Sequence, residues 1–206
     1  GLVLAVDGPG FAAFRAALAE ALRHAPAAPM LTPAIAASFT RGAADRSRMP
    51  GVRTLAGDPQ AWPAGHGGAV AHEVDAAGLA GDDRLAAELF GSAVLVVRCA
   101  SEAELMQAVA VLEGQLTAAL HLEPADERLA RALLPMLERR AGRIIANGFG
   151  TGVEVGEATM HGGPWPASSD ARFTSVGTMA IDRFLRPVAY QELPGWLLPE
   201  PLRADS

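Results

Sequence analysis

Short apolar runs alternate along the chain with segments of helical periodicity, and this alternation constrains the fold more than any other feature. Residues 2–6 and 94–99 are continuous apolar runs rich in β-branched side chains, which is typical of strands buried on both faces. Residues 10–24 and 126–140 place apolar side chains every three or four positions, which predicts amphipathic helices. Strands that alternate with helices predict an α/β fold of three layers, α/β/α, around a mostly parallel sheet.

The same pattern predicts regular structure through most of the first 146 residues. Further strands are predicted at residues 51–56, 69–75, 116–122 and 143–146, and further helices at residues 33–41 and after Ser101. Gly142 follows the helix at residues 126–140 and is expected to cap its carboxyl end, because glycine adopts the backbone conformation of a C-terminal cap without strain.

The C-terminal part of the chain has a different character. Residues 147–170 are rich in glycine and lack periodicity, and an irregular loop of this length is more often functional than not. Residues 173–181 and 184–190 are predicted as two strands outside the main sheet, whose open edges another subunit would satisfy. We therefore expect three divisions: residues 1–146, a loop region at 147–170, and strands with a tail at 171–206.

Composition and charge exclude several classes of protein. The chain has 206 residues, 50% of them hydrophobic, which is enough for one sizeable α/β domain. The net charge is -6 and Lys and Arg are scattered, so no basic patch predicts a nucleic-acid partner. No apolar run approaches the roughly 20 residues that span a bilayer, and no secretory signal is recognisable. We expect a cytoplasmic protein with no nucleic-acid or membrane partner.

Cys99 is the single cysteine and ends the predicted strand 94–99, where open α/β sheets place their sites. Arg98 and the start of the next helix would lower the pKa of its thiol, as a nucleophile requires. A free cysteine is more often a small buried hydrophobe, and a nucleophile also needs a base that the sequence does not locate. The buried, unreactive interpretation is therefore favoured.

Two other stretches carry candidate site residues. The stretch ELFGS is compatible with an ordinary turn in which Gly91 supplies a permissive backbone and Phe90 is buried. His161 precedes a glycine pair in MHGGPWP, where the backbone can approach a ligand closely. Trp165 in the same loop fits either a substrate wall or local packing. The five histidines show no metal-ligand spacing, so no metal site is predicted.

Three segments together are similar to the aldehyde dehydrogenase superfamily. ELFG before a Val-rich strand resembles the Glu-x-Phe-Gly-Pro motif of that superfamily, with Ser92 where the motif has Pro. GRIIANGFGTGVEV and HGGPWPASSDARFTSVGTMAIDRFLRPVAYQELP resemble a narrower group. That group comprises the α-ketoglutarate semialdehyde (2,5-dioxovalerate) dehydrogenases and related bacterial NADP-linked enzymes that act on fatty aldehydes. The resemblance covers essentially the whole chain in order, and residues 1–68 are its least diagnostic part.

The resemblance implies an oxidoreductase that converts an aldehyde to a carboxylic acid with NADP or NAD as its cofactor. It implies that Glu88 hydrogen-bonds the nicotinamide ribose and that Phe90 packs beside the nicotinamide. The nucleophilic cysteine, general-base glutamate and cofactor domain of the superfamily correspond to positions upstream of Gly1, so no catalytic residue is expected here. Because GLVLAV opens directly in a predicted strand, we expect a piece of a longer protein that is inactive without its N-terminal portion.

The resemblance also implies substrate-binding residues and an assembly. His161 stands where the superfamily commonly has a pocket-lining aromatic residue, and an imidazole suits a polar or carboxylate-bearing aldehyde. Phe149 is expected to line the same pocket mouth. Residues 173–190 correspond to the oligomerisation strands, which implies a homo-oligomer. Two alternatives stay open: a fatty or medium-chain aldehyde as the substrate, and a non-catalytic module that serves only subunit association.

Overall fold

The computed structural model describes residues 1–150 and 152–203. Most of the predicted strands and helices are present up to residue 146, together with two short strands and a short helix that were not predicted. In chain order they are β1 (Leu2–Val6), α1 (Phe11–Arg23), β2 (Ala28–Pro29), α2 (Pro33–Ser47), β3 (Arg53–Ala56), β4 (His66–Gly67), β5 (Val70–Asp75), α3 (Ala76–Gly81), β6 (Ala93–Cys99), α4 (Glu102–Val111), β7 (Gln115–Leu120), α5 (Glu127–Glu138) and β8 (Ala141–Ala146).

The chain forms two compact units. The first unit comprises residues 1–113 and 122–140, and the second comprises residues 114–121 together with those from 141 onward. The first unit holds a four-stranded sheet in the order β1-β6-β5-β3, in which only β3 runs antiparallel to its neighbour. The second unit holds the parallel pair of β7 and β8. The mostly parallel α/β architecture is therefore confirmed.

The core of the first unit is centred on strand β6. Because β6 lies between β1 and β5, both of its edges are hydrogen-bonded, and Leu95, Val96 and Val97 are 0% exposed. A strand in this position needs apolar side chains on both faces, which explains its continuous apolar run. Strand β1 lies at the sheet edge and is only half-buried along its length, so the prediction that it is buried on both faces is wrong.

Helix α2 extends to Ser47, beyond its predicted end at Arg41. Gly42, the residue after Arg41, does not end the helix; its missing side chain leaves room for a packing partner. A Cβ at Gly42 would lie 2.7 Å from a methyl carbon of Leu89. The helix therefore presents a gap in its surface where the turn that contains Leu89 can pack.

Gly142 is a residue of strand β8 and not the cap of helix α5, so that prediction is wrong. The helix ends at Glu138, and the strand begins at Ala141. A Cβ on Gly142 would lie 1.7 Å from the carbonyl oxygen of Gly162, so only glycine lets the chain at residues 162–163 cross the strand. The close backbone approach expected at the glycine pair after His161 exists, but it is made to β8.

Residues 147–150 and 152–170 contain neither helix nor strand, as predicted. The strands predicted at residues 173–181 and 184–190 are not found: the described residues after Ala146 include no strand. A 3₁₀ helix spans Thr178–Phe184 instead. A strand needs a hydrogen-bonded neighbour, whereas a 3₁₀ helix satisfies its backbone groups locally. This part of the chain leaves many apolar side chains exposed, among them Met179, Ile181, Phe184, Leu185, Val188, Tyr190, Trp196, Leu197 and Leu202.

Candidate functional site

The ELFG turn of the first unit is built around Leu89. This side chain packs against a buried cluster formed by Phe39, Ala43 and Val70. Gly91 lies so close to the Phe39 ring that a Cβ would meet its carbon atoms at 2.7 Å. Gly91 is therefore required for space, and not for the permissive backbone that the sequence suggested.

Arg46 of helix α2 fixes the start of this turn. The residue is 5% exposed, and its Nη2 donates a hydrogen bond of 2.6 Å to the carbonyl oxygen of Ala87. Burial lowers the pKa of the Arg46 guanidinium. Since an arginine removed from water needs partners for its donors, the bond holds Ala87 firmly in place. The next residue along the chain is Glu88.

Because Leu89 turns into the core, its neighbours Glu88 and Phe90 lie at the surface. Phe90 is 69% exposed, so the expectation that an ordinary turn would bury it is wrong. Within the described part of the chain, the Glu88 carboxylate makes no hydrogen bond or ion pair, and its charge acts at longer range on the amino group of Gly1. An unengaged carboxylate can accept hydrogen bonds from two adjacent hydroxyls, and an exposed aromatic ring can cover a flat heterocycle. The turn has the geometry of a ligand contact with a rigid base.

Cys99 is a buried thiol, which confirms the favoured interpretation. The residue is 0% exposed, and its Sγ lies 3.9 Å from the carbonyl oxygen of Val97. Burial, with a smaller contribution from the charge of Glu104, raises the pKa of the thiol to about 11. The thiolate is the nucleophilic form of cysteine, so Cys99 is poorly suited to nucleophilic catalysis near neutral pH.

The second unit contains an open cavity of about 400 Å³ beside its glycine pair. Leu116 and Phe173 supply apolar parts of its wall. The polar groups that line it belong to His161, Ser168, Ser169, Asp170, Ser175 and Arg183. The predicted substrate residue His161 therefore meets polar groups that the sequence did not single out.

Thr174 is the buried residue that connects two sides of this cavity. It is 2% exposed, and its Oγ1 accepts a hydrogen bond of 2.7 Å from the backbone N–H of His161. The same hydroxyl donates to the carbonyl oxygen of Val176 at 2.7 Å. The carbonyl oxygen of Thr174 accepts a hydrogen bond from Nη2 of Arg183. The His161 backbone and the Arg183 guanidinium are thus both bonded to one residue, which lies in a quoted segment but was not singled out from the sequence.

The backbone of His161 is hydrogen-bonded to the protein, whereas its imidazole ring makes no hydrogen bond with the described residues. The N–H and the hydroxyl of Ser175 both donate to the carbonyl oxygen of His161, at 3.2 and 2.6 Å. The Nδ1 of the imidazole is buried with no hydrogen-bond partner among the described residues. The ring is therefore oriented by the loop backbone and not by a side-chain network.

Asp170 is the acidic residue among the described side chains that line the cavity, and its charge is already balanced. Its two carboxylate oxygens accept hydrogen bonds from Nε and Nη2 of Arg172 at 3.0 and 2.7 Å. These bonds hold the pKa of Asp170 at about 2. Arg183, by contrast, makes no ion pair with any residue that the structure describes.

Phe149 does not belong to the lining of this cavity. Its side chain is 78% exposed, and its ring centre lies 5.2 Å from that of His121. Trp165 is also largely exposed. Glu88 and Phe90 belong to the first unit, whereas His161 and Phe149 belong to the second. The structure thus describes two separate groups of candidate residues.

Residues 1–150 and 152–203 offer neither a helix that could span a membrane nor a cluster of metal ligands. None of the helices there combines the length and apolar character needed to cross a membrane. In the same residues, no group of three or more His, Cys, Asp or Glu side chains is placed to hold a metal ion.

Two curated proteins match the chain along its length. The chain is 46% identical over 206 residues to α-ketoglutaric semialdehyde dehydrogenase 2 of Azospirillum brasilense, a match that covers 100% of this chain and 39% of that protein. It is 38% identical over 204 residues to the α-ketoglutaric semialdehyde dehydrogenase of Acinetobacter baylyi, covering 98% of this chain and 39% of that protein. The chain therefore spans about two fifths of the length of these relatives.

Solved structures of similar fold include aldehyde dehydrogenases. Lactaldehyde dehydrogenase from Escherichia coli superposes with a TM-score of 0.71 at 17% identity, covering 90% of this chain and 38% of that chain. The salicylaldehyde dehydrogenase from Pseudomonas putida G7, complexed with salicylaldehyde, gives a TM-score of 0.68 at 19% identity, covering 92% and 40%. At these identities the likeness shows the fold alone.

A scan against models of protein families finds no match. The curated relatives and the shared fold nevertheless agree with the motifs quoted above, and the chain is similar along its length to aldehyde dehydrogenases. The two curated relatives described above are both named α-ketoglutaric semialdehyde dehydrogenases.

Proposed function

We propose that the chain is the C-terminal portion of an NAD(P)-dependent aldehyde dehydrogenase that oxidises α-ketoglutarate semialdehyde to the carboxylic acid. The observation that carries this proposal is the 46% identity, over the whole chain, to an α-ketoglutaric semialdehyde dehydrogenase. Solved structures of similar fold include a succinic semialdehyde dehydrogenase in complex with NADP+ and a benzaldehyde dehydrogenase described as NAD-dependent. Both cofactors are therefore candidates.

The exposed turn supports a role for Glu88 and Phe90 in holding the nicotinamide end of the cofactor. The Glu88 carboxylate is free of hydrogen-bond partners within the described residues and suits the two adjacent hydroxyls of a ribose. Phe90 is 69% exposed and suits the flat nicotinamide. The cofactor supplies the hydride acceptor when it is bound, and the residues of this chain orient it. Arg46 and Leu89 keep the backbone of the turn in place beneath these contacts.

The polar cavity of the second unit supports a carboxylate-bearing aldehyde as the substrate. His161 supplies an imidazole, and the neighbouring lining residues carry hydroxyls and a guanidinium, which favour a polar chain over an alkyl one. We propose that Phe149, which is exposed on the same unit, contributes an apolar side to the mouth of the substrate pocket. A fatty or medium-chain aldehyde remains the alternative substrate.

The chain is expected to have no dehydrogenase activity by itself. Cys99 is buried and its pKa is raised to about 11, so it does not replace the nucleophile of the superfamily. The nucleophilic cysteine and the general-base glutamate are proposed to come from the part of the dehydrogenase that precedes Gly1. The partner of this chain is thus the N-terminal portion of the same enzyme.

The test uses a full-length dehydrogenase that contains this sequence, assayed with NADP+ and NAD+ on α-ketoglutarate semialdehyde and on hexanal. We expect a higher kcat/KM on the semialdehyde, and a shift toward hexanal in His161→Phe. Glu88→Gln should raise the KM for the cofactor, while Asp83→Asn, an exposed acid shortly before the turn, should not. A preference for hexanal in the unmodified enzyme would favour the alternative substrate, and turnover by the isolated chain would contradict the proposal.

The exposed apolar side chains of residues 179–202 favour a second role in subunit association. Side chains such as Phe184 and Trp196 are 81% and 74% exposed, and large exposed apolar side chains are typical of interaction surfaces when they form one patch. We propose that residues 171–206 pair with another copy of the enzyme in a homo-oligomer. Analytical ultracentrifugation of the full-length protein should show an oligomer that Phe184→Ser with Trp196→Ser weakens, whereas a strictly monomeric protein would refute this role.

A further inference from the structure

We propose that Arg183 and Ser169 form a carboxylate-binding subsite in the cavity of the second unit, and that this subsite holds the carboxylate of the semialdehyde. The inference rests on the proposed function and deepens it. It assigns the recognition of the charged end of the substrate to two side chains for which neither a motif nor a relative gives a role.

The charge of Arg183 is available to a ligand. Its guanidinium lines the cavity and makes no ion pair with any described residue. One hydrogen bond, from Nη2 to the carbonyl oxygen of Thr174, uses one of its five N–H donors. The remaining donors match the two oxygens of a carboxylate, which arginine binds in a bidentate manner.

The guanidinium is also held in place from the protein side. Thr174 is 2% exposed, so the carbonyl oxygen that receives the Arg183 bond belongs to a buried residue. The hydroxyl of the same threonine receives the backbone N–H of His161. Arg183 and the backbone of His161 are therefore both hydrogen-bonded to Thr174, and both residues line the cavity.

Ser169 supplies a second hydrogen-bond donor to the subsite. The hydroxyls of Ser168 and Ser175 already donate to the carbonyl oxygens of Asp170 and His161. Ser169 is exposed and makes no hydrogen bond within the described residues, so its hydroxyl is free to donate. The Asp170 carboxylate is hydrogen-bonded to Arg172, and its charge also interacts with Arg183, although the two form no ion pair.

The size of the cavity suits a small ligand. A volume of about 400 Å³ lies in the range of small-molecule sites, and a five-carbon keto acid fits within it. Leu116 and Phe173 offer apolar contact for the methylene carbons of such a ligand.

The first experiment compares α-ketoglutarate semialdehyde with pentanal, which has the same number of carbons and no carboxylate, on the full-length dehydrogenase. Arg183→Gln should lower kcat/KM on the semialdehyde about 10- to 100-fold, the range for loss of a charged hydrogen bond. On pentanal it should change kcat/KM by less than about twofold. Arg183→Lys should recover part of the loss, and Arg186→Gln, an exposed arginine outside the cavity, should match the unmodified enzyme. Equal losses on both aldehydes, or no loss on either, would overturn the proposal.

A binding measurement separates this proposal from the dehydrogenase activity. Isothermal titration of glutarate into the full-length protein should show binding that Arg183→Gln removes and Ser169→Ala weakens. If neither aldehyde is oxidised, the proposed function fails while the titration still decides the subsite: absence of glutarate binding would refute it. If Arg183→Gln does not fold, Ser169→Ala still tests glutarate binding. The Ser169 hydroxyl makes no hydrogen bond within the described structure, so its removal should not affect folding.

Discussion

Arg46 and Ala87 are joined by a hydrogen bond of 2.6 Å from a buried guanidinium to a backbone carbonyl. The bond runs from helix α2 to the residue immediately before Glu88, so the position of a proposed cofactor contact depends on a side chain far away in the sequence. Exposed arginines of the same helix have no comparable role, and this contrast leads to the first prediction.

Arg46→Met should lower the free energy of unfolding by about 1–3 kcal/mol, because the Ala87 carbonyl loses its charged donor. Arg41→Met on the same helix removes an exposed arginine and should change it by less than about 0.5 kcal/mol. Urea unfolding followed by circular dichroism measures both variants. Equal stability of the two would show that the Arg46 bond contributes nothing to the fold.

His72 should make the first unit sensitive to acid. It is 0% exposed, neither ring nitrogen has a hydrogen-bond partner among the described residues, and burial with the charge of Arg46 lowers its pKa from 6.5 to about 4. The unfolded chain therefore takes up a proton at a higher pH than the folded chain does. Stability contributed by neutral His72 is complete above pH 6.5 and falls by about 3 kcal/mol as the pH decreases toward 4.

The variant His72→Leu checks this dependence. It removes a buried polar ring without breaking a hydrogen bond of the described structure, so stability at pH 7 should be unchanged or higher. Between pH 6.5 and 4, its unfolding free energy should depend less on pH than that of the unmodified protein. His24→Gln, at an exposed helix end, is the control. An unchanged acid slope in His72→Leu would assign the slope to other groups.

Gly142→Ala should destabilise the second unit by about 1–3 kcal/mol or more, as inserted atoms do in closely packed regions. Its new Cβ would fall 1.7 Å from the carbonyl oxygen of Gly162, so the backbone there has to move. Gly195→Ala in the same unit meets no atom within 4 Å and should have little effect. Thermal unfolding monitors both variants, and a Gly142→Ala midpoint equal to that of Gly195→Ala would contradict the crossing of backbones described here.

Of the three residues Glu88, Leu89 and Phe90, we expect only Leu89 to contribute strongly to the free energy of unfolding. Leu89→Ala should cost about 2 kcal/mol, because it removes contacts with the buried cluster around Phe39. Glu88→Ala and Phe90→Ala should each change stability by less than about 0.5 kcal/mol, since both side chains are exposed. Chemical unfolding of the three variants tests this order. A larger loss in Phe90→Ala than in Leu89→Ala would reverse the roles assigned to the turn.

The regular elements of the first unit could be predicted because their signal is local. The apolar run of β6 and the helical stripe of α1 are consequences of burial that any window of the sequence carries. The length of α2 could not be predicted, since Gly42 looks like a helix terminator until Leu89 is known to pack on it. Gly142 was misassigned for the same reason, because its partner, Gly162, is distant along the chain.

Some of the candidate site residues could be predicted from the sequence, and others could be found only in the structure. The family resemblance indicated Glu88, Phe90, His161 and Phe149, and the structure describes the surroundings of each. Thr174, Ser169 and Arg183 were not indicated, because their association depends on side chain-to-backbone bonds within an irregular segment. Such bonds leave no periodic trace in a sequence.

Strands β7 and β8 are parallel neighbours, yet the segment that joins them, residues 122–140, groups with the first unit. Parallel strands require a crossover of a dozen or more residues, because the end of one lies far from the start of the next. Helix α5 provides that crossover, so the segment that connects the two strands of the second unit belongs to the first unit. Neither unit is a continuous stretch of polypeptide. An expression clone cut after residue 113 would separate helix α5 from the first unit, and one cut after residue 140 would separate β7 from β8. Engineers who wish to isolate the Arg183 cavity will have to design a new crossover in place of α5.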